Sequence, residues 1–222
     1  MALFNKRLLY RIGLYGLAGI IAFSLYAKAN VQPETDEEYC KRKGMVKIHD
    51  RFYKYDVYEH NEMKPIVDML SQECNGDPYC EINHTYQYVL KIPYKESTTD
   101  RNPSDVINQN GGDCDEKSFL LATLLLQKQY ECLLVTTKDH GFIAVHVPNE
   151  SILKQPVSYL TFNGKKYYIA ETTLSDGYIG QYNNVNPKEV EGVFDMVTKK
   201  EIALEKIEFS LPHDLILSNS KR

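Results

Sequence analysis

Behind Asp113 the chain runs CDEKSFLLATLLLQ, and the stretch 119–126 within it is almost wholly apolar. A helix that is apolar all round has no face to give to water and must be buried. The spacing predicts such a helix over 114–129, so the rest of the domain has to supply layers that enclose it. Upstream, residues 63–73 place apolar side chains at 63, 66, 67, 69 and 70, which is helical spacing. Asp77 and Pro78 open a second helix over 79–91, stopped by Pro93. Residues 95–113 (KESTTDRNPSDVINQNGGD) read as loop. Downstream the pattern turns to β at 131–137, 141–147, 157–162 and 165–173, with Asn163-Gly164 as a two-residue hairpin turn between the last two. Residues 187–199 are predicted helical and 201–209 a further strand. Residues 45–60 form a strand or an irregular lead-in. Helices first, then an antiparallel run of strands behind one buried helix, predict an α+β domain over 45–212.

The ends of the chain are of a different kind. Lys6, Arg7 and Arg11 precede fifteen uncharged residues, 12–26, which end in Ala27-Lys28-Ala29. This is the pattern of a signal peptide, or of a signal anchor tethering the chain through residues 12–26. The apolar run is short against the ~20 residues of a spanning helix. Either outcome places the body outside the cytoplasm, secreted, periplasmic or membrane-tethered. Residues 30–44 then serve as a linker and 213–222 as a loose tail. The net charge of −4 conceals four cations and no acid in residues 1–29, which leaves the body at about −8. A body that acidic lacks the clustered positive charge that nonspecific nucleic-acid binding requires.

Five cysteines follow the export segment: Cys40, Cys74, Cys80, Cys114 and Cys132. In an oxidising compartment an odd count leaves one thiol unpaired, unless all five stay reduced. Cys74 and Cys80 flank the turn-forming Asn75-Gly76-Asp77-Pro78 and are the easiest local pair. Cys132, in the apolar run CLLVTT, reads as a buried small hydrophobe.

Cys114 is the thiol expected to be free. Two glycines, Gly111 and Gly112, are expected to let the backbone turn tightly into the helix, and the cysteine falls in its first turn. Unpaired N–H groups and the helix dipole at that position favour a thiolate, the nucleophilic form. Asp113 and Asp115 oppose this, and Lys117 partly offsets them. The plain alternative is a packed, inert cysteine.

A nucleophile needs a base. His49, His60 and His84 precede the buried helix and His213 lies in the tail, which leaves His140 and His146. Six residues of strand separate those two by about 20 Å, so only one can serve the thiol. His140 opens the strand, where a site at a sheet end belongs. The orienting carboxylate is expected at Glu171, an acid in the otherwise apolar and aromatic YYIAETT. Taken alone, His140 could be a loop histidine and Glu171 an edge-strand acid facing water. Metal readings are weaker. The spacing of Cys74, Cys80 and His84 does not suit a structural zinc site, and no metal is expected. Calcium, held by Asp100, Asp105, Asp113 and Asp115, stays open, although these acids match no calcium-loop signature.

These blocks resemble the transglutaminase-like superfamily of papain-type cysteine enzymes. Gly111-Gly112-Asp113-Cys114-Asp115-Glu116-Lys117-Ser118 resembles its G-D-C-x-D/E-x-(A/S) nucleophile helix. His140-Gly141-Phe142-Ile143-Ala144-Val145 is similar to its H-A-W-V-E-V strand, and Tyr168-Ile169-Ala170-Glu171-Thr172-Thr173 falls where it has D-P-T. Tyr88 to Tyr94 resembles the helix end before the nucleophile loop. Phe142 stands where tryptophan is usual, and Glu171 where aspartate is. The resemblance, over roughly 80–175, implies a papain-like fold and a Cys114–His140–Glu171 triad. Its implied activity is hydrolysis of peptide or protein amides through a thioester, without a cofactor. Gln87 is the side-chain candidate for the oxyanion, with the Cys114 backbone N–H as fallback. The rival readings are a cross-linking transglutaminase and a non-catalytic binding module.

Overall fold

Residue Glu116 sits on the central helix with no exposed surface at all, and its carboxylate is met from outside by one arginine. That pair shows how the domain is assembled around the helix. The computed structural model describes residues 45–48, 51–54, 61–97, 101–153, 157–181 and 184–212, which belong to one compact unit within 40–222. The expected export segment 1–29, linker 30–44 and tail 213–222 lie outside the described residues, as do Cys40, His49, His60, Asp100 and His213.

Among the described residues there are four α-helices and nine strands. A hairpin of β1 (Met45–Ile48) and β2 (Arg51–Lys54) forms a separate two-stranded sheet. Then come α1 (Lys64–Ser71), α2 (Pro78–Leu90), α3 (Pro103–Asn108) and the central α4 (Cys114–Gln127). The main sheet follows: β3 (Cys132–Thr137), β4 (Gly141–His146), β5 (Tyr159–Phe162), β6 (Lys165–Ala170), β7 (Val190–Asp195), β8 (Lys200–Glu201) and β9 (Glu208–Ser210). Its order is β8-β7-β3-β4-β6-β5-β9, antiparallel throughout. The architecture is α+β. No described helix is long and apolar enough to cross a membrane.

The near-continuous apolarity of β3 and β4 follows from burial on both faces. Leu134, Ile143, Val145 and Tyr168 join Leu120, Leu121, Leu124 and Leu125 of α4 in one core cluster. Leu133, Val135, Phe142 and Ile169 face a second cluster, closed by Val190, Ile202 and Ile207 from the later chain. The Asn163-Gly164 turn has both residues at positive φ (50° and 74°), as a two-residue hairpin loop demands.

Three expectations are corrected. The loop predicted over 95–113 contains α3: Asn102 caps it by accepting from the Asp105 N–H, and Pro103 occupies its first turn. Six residues with two adjacent apolar side chains are too few to display a period. The helix predicted over 187–199 is only a short turn at Pro187–Glu189, followed by β7, a strand of the main sheet paired between β8 and β3. Its Val, Phe and Met spacing fits either period, but pairing with β3 (Leu134 opposite Phe194) and burial of Val193 select the strand. The strand expected over 201–209 is split into β8 and β9 by a turn at Leu204–Lys206.

The approach to α4 is held by charge. Asp113 accepts from the Glu116 N–H at 3.0 Å and Glu116 accepts from the Asp113 N–H at 3.0 Å, a reciprocal capping box. Arg101 donates to Glu116 from its backbone and Nε at 3.0 Å each, with a further ion pair at 2.9 Å, and also donates to the Gly111 carbonyl. Neither Gly111 nor Gly112 is left-handed; Asn110 is, at φ 46°, so the tight turn lies one residue earlier than expected. Gly112 is instead required for space, since a Cβ there would stand 3.1 Å from Val106 and 3.2 Å from Lys117. Buried Lys117 donates to the Ile92 carbonyl at 2.7 Å and the Leu90 carbonyl at 3.4 Å, tying α4 to the end of α2. Burial pushes its ammonium down to about 8, with the charge of Glu171 opposing.

Removing one partner of a buried ion pair leaves an uncompensated charge, at a cost of about 3–5 kcal/mol. Arg101→Met should therefore lower the urea midpoint by that equivalent at unchanged m-value. The double variant Arg101→Met/Glu116→Leu should recover much of the loss. A single variant within about 0.5 kcal/mol of the native chain would show that the pair does not anchor the helix.

Candidate active site

Cys114 is the first residue of α4, and its Sγ lies 3.5 Å from Asp115 Oδ1. His140 closes the β3–β4 turn: its carbonyl accepts from the Thr137 N–H at 2.8 Å, which leaves Lys138 and Asp139 at the tip. Ser118, one turn along α4 from the cysteine, donates to the Gly141 carbonyl at 3.0 Å and fastens the start of β4 to the helix. Gly141 has no room for a side chain, because a Cβ would sit 2.5 Å from Asp115 Oδ1.

Glu171 follows β6 directly. β4 and β6 are neighbours, with Ile143 opposite Ala170, so their register brings the ends carrying His140 and Glu171 together. His140 Nε2 and Glu171 Oε2 are 2.6 Å apart. The other carboxylate oxygen, Oε1, accepts from the Thr173 N–H at 2.9 Å and the Thr173 hydroxyl at 2.7 Å. Both oxygens are thereby directed, and the Tyr86 hydroxyl of α2 donates to the Glu171 carbonyl at 2.8 Å. Phe142, fully buried, stacks its ring 6.0 Å from that of His140.

Cys114 is near enough to act electrostatically on the same imidazole. Burial by itself lowers the histidine pKa. The hydrogen bonds to Cys114 and Glu171, with the negative charges of both, more than reverse this and push it up to about 10. Burial raises the Glu171 carboxyl, while the His140 and Thr173 hydrogen bonds hold it below the ordinary value. A sulfur, an imidazole and a carboxylate, from residues 114, 140 and 171, are thus brought to one place, the last two in direct contact at 2.6 Å. Such a grouping can move a proton at the ring while the carboxylate keeps its orientation.

The sequence-predicted residues are placed as follows. Cys114, His140 and Glu171 meet; His146 instead contacts the Lys166 carbonyl at 2.9 Å through Nδ1. Gln87 donates its side-chain N–H to the Gly177 carbonyl at 2.8 Å. Cys74 and Cys80 form a disulfide, while Cys114 and Cys132 are free. His84 stands beside that disulfide, its Nδ1 3.5 Å from the Cys74 sulfur. The ligand atoms of Cys74, Cys80 and His84 lie within 4.8 Å of one another despite a spacing read as unsuited to zinc. As a disulfide, however, the two sulfurs offer no thiolate to an ion. The sequence reading missed Ser118, Thr173 and Tyr86 as supports of the site. Ser118 falls one helical turn after Cys114 and Thr173 two residues after Glu171, spacings that signal contact only once the triad is assumed.

The site opens into a cleft of about 360 Å³ that has Cys114 in its lining. Its lining also includes buried Asp113 and Asp115 and exposed Tyr94, Glu96, Lys138 and Asp139. No protein-family model, curated protein or solved structure matches the chain.

A raised histidine pKa means that the ring keeps its proton through neutral pH and loses it only near pH 10. The His140 ring resonances should accordingly titrate near 10 rather than near 6.5, and Glu171→Gln should bring the midpoint down. A native midpoint near 6.5 would show that the ring lacks these partners in solution.

Proposed function

We propose that the chain is an exported cysteine-dependent amide hydrolase of transglutaminase-like, papain-type architecture, acting on peptide or protein. The observation that carries this reading is the 2.6 Å contact between His140 and Glu171, with Cys114 close enough to act electrostatically on the same imidazole. The helix that begins at Cys114 packs on the central strands β3 and β4 of an antiparallel sheet, with His140 and Glu171 at the ends of neighbouring strands, which supports the architectural part. The Cys74–Cys80 disulfide agrees with an oxidising compartment.

The sulfur of Cys114 adds to the substrate carbonyl carbon, and the negative charge moves to the carbonyl oxygen. Backbone N–H groups at the first turn of α4, unpaired within the helix, stabilise that charge. His140 gives its proton to the departing amine nitrogen as the C–N bond breaks, leaving a thioester. Water then attacks the thioester while the neutral ring takes its proton. The ring returns that proton to the sulfur side as the C–S bond breaks and the acid leaves. Glu171 holds the ring by Nε2 and stabilises its charged form.

Cys114→Ala should abolish labelling of this position by iodoacetamide at neutral pH and abolish peptide hydrolysis. Glu171→Gln should lower kcat/KM by about 10²–10⁴-fold, the range typical of disturbed acid–base catalysis. Hydrolysis by Cys114→Ala at the native rate would end the reading.

A further inference from the structure

We propose that Cys74, Cys80 and His84 form a redox-gated site for zinc, closed while the two sulfurs are joined and opened when they are reduced. The proposal is independent of the hydrolase reading. Two observations of different kinds meet there. The first is placement. Cys80 lies in the first turn of α2, His84 one turn further along it, and Cys74 in the connection from α1. Their ligand atoms stand within 4.8 Å of one another. The start of a helix favours the anionic form of a cysteine sulfur, which is the form that binds metal. The second observation lies outside this group. His84 Nδ1 is 3.1 Å from the Leu70 carbonyl in the last turn of α1. A carbonyl only accepts, so Nδ1 carries the proton and the neutral ring presents a bare Nε2. Metal-binding histidines are held in this way, with the outer N–H on a backbone carbonyl that fixes tautomer and ring. Nε2 is 4.0 Å from the Cys80 sulfur. An ion about 2.3 Å from a sulfur and about 2.0 Å from a nitrogen sets those two atoms about 3.6 Å apart, so little adjustment is needed.

The frame that holds the two cysteines does not depend on the bond between their sulfurs. The Cys74 N–H donates to the Ser71 carbonyl at 3.1 Å, and the Asp77 N–H donates to the Cys74 carbonyl at 2.9 Å. Asp77 then caps α2 by accepting from the Tyr79 N–H at 3.2 Å. Backbone contacts therefore keep the two Cα atoms near their present 5.4 Å after reduction. Cys74 is buried, while Cys80 and His84 are half-buried, so water can complete the fourth position of a three-ligand site. Two thiolates and an imidazole are soft and borderline donors, which select zinc over calcium or magnesium. The chemistry balances with a dithiol as reductant. It delivers two electrons and two protons to the S–S bond and leaves as its own disulfide; zinc then displaces the two thiol protons. A disulfide oxidant reverses the step, taking up the two electrons as the S–S bond re-forms and the ion departs.

The test uses the full chain, either oxidised or reduced with dithiothreitol and desalted without oxygen, and titrates it with cobalt(II) as a coloured substitute for zinc. The reduced chain should take up one equivalent, with a thiolate-to-cobalt charge-transfer band and the visible bands of a four-coordinate ion, and zinc should displace it. The oxidised chain should show neither band. Cys80→Ser should lose the charge-transfer band or halve it. His84→Gln retains a donor for the Leu70 carbonyl but has no ring nitrogen. It should weaken binding by more than the about 10–100-fold that loss of an outer partner costs. Cys114→Ala should bind as the native chain does, which separates this site from the other thiols. Reduced chain without the bands, or bands left unchanged by Cys80→Ser or by His84→Gln, overturns the inference.

Discussion

The carboxylate of Glu116, buried and clamped by Arg101, is the contact on which the rest of the site depends. It finishes the cap of α4, so the helix can begin at Cys114 and nowhere else. It also draws the 95–113 segment inward, because Arg101 reaches the Gly111 and Lys95 carbonyls as well. A helix as apolar as α4 has little sequence periodicity to define its rotation. Polar anchors at its first turns do that instead: Lys117 toward the end of α2, Ser118 toward the start of β4. Three consecutive buried polar side chains, 116 to 118, point to three different elements. Cys114 is oriented as a by-product of that arrangement.

The other two members are positioned by the sheet. Strand register is specified wherever a face is buried, since a slip of one residue turns every side chain over. β4 and β6 are buried on both faces, and their pairing decides how far the end of one reaches beside the end of the other. His140 and Glu171 are therefore held by the same burial that stabilises the core. Precision at the site comes from hydrophobic packing distant from it. Glutamate rather than aspartate is understandable here: one carboxylate oxygen must reach the ring while the other meets Thr173, and the additional methylene gives the span.

The central helix, the hairpin at Asn163-Gly164, the local Cys74–Cys80 pair and the grouping of Cys114, His140 and Glu171 were legible in the sequence. Each is written in a short window: an apolar run, a turn dipeptide, a close cysteine spacing, a few residues of motif. What was not legible was long-range or too short to show a period. β7 is a strand because β3 accepts it, and nothing within Val190–Asp195 distinguishes that from a helix turn with Val193 and Phe194 inward. α3 is recognisable only by its cap, Asn102 before Pro103, inside a stretch whose composition says loop. The glycines before Cys114 were assigned the wrong duty, because sequence shows where glycine stands but not whether φ or space requires it.

The acidity of the body gains a local meaning from the same geometry. From composition alone a surplus of acids excludes nucleic acid and says little else. Around Cys114 two ion pairs hold elements together, Arg101 with Glu116 and His140 with Glu171. The cleft beside the sulfur is lined by further charged residues, Glu96, Asp113, Asp115, Lys138 and Asp139. The adjacent carboxylate and the sulfur together keep the His140 ring protonated well above neutral pH, against the effect of its burial.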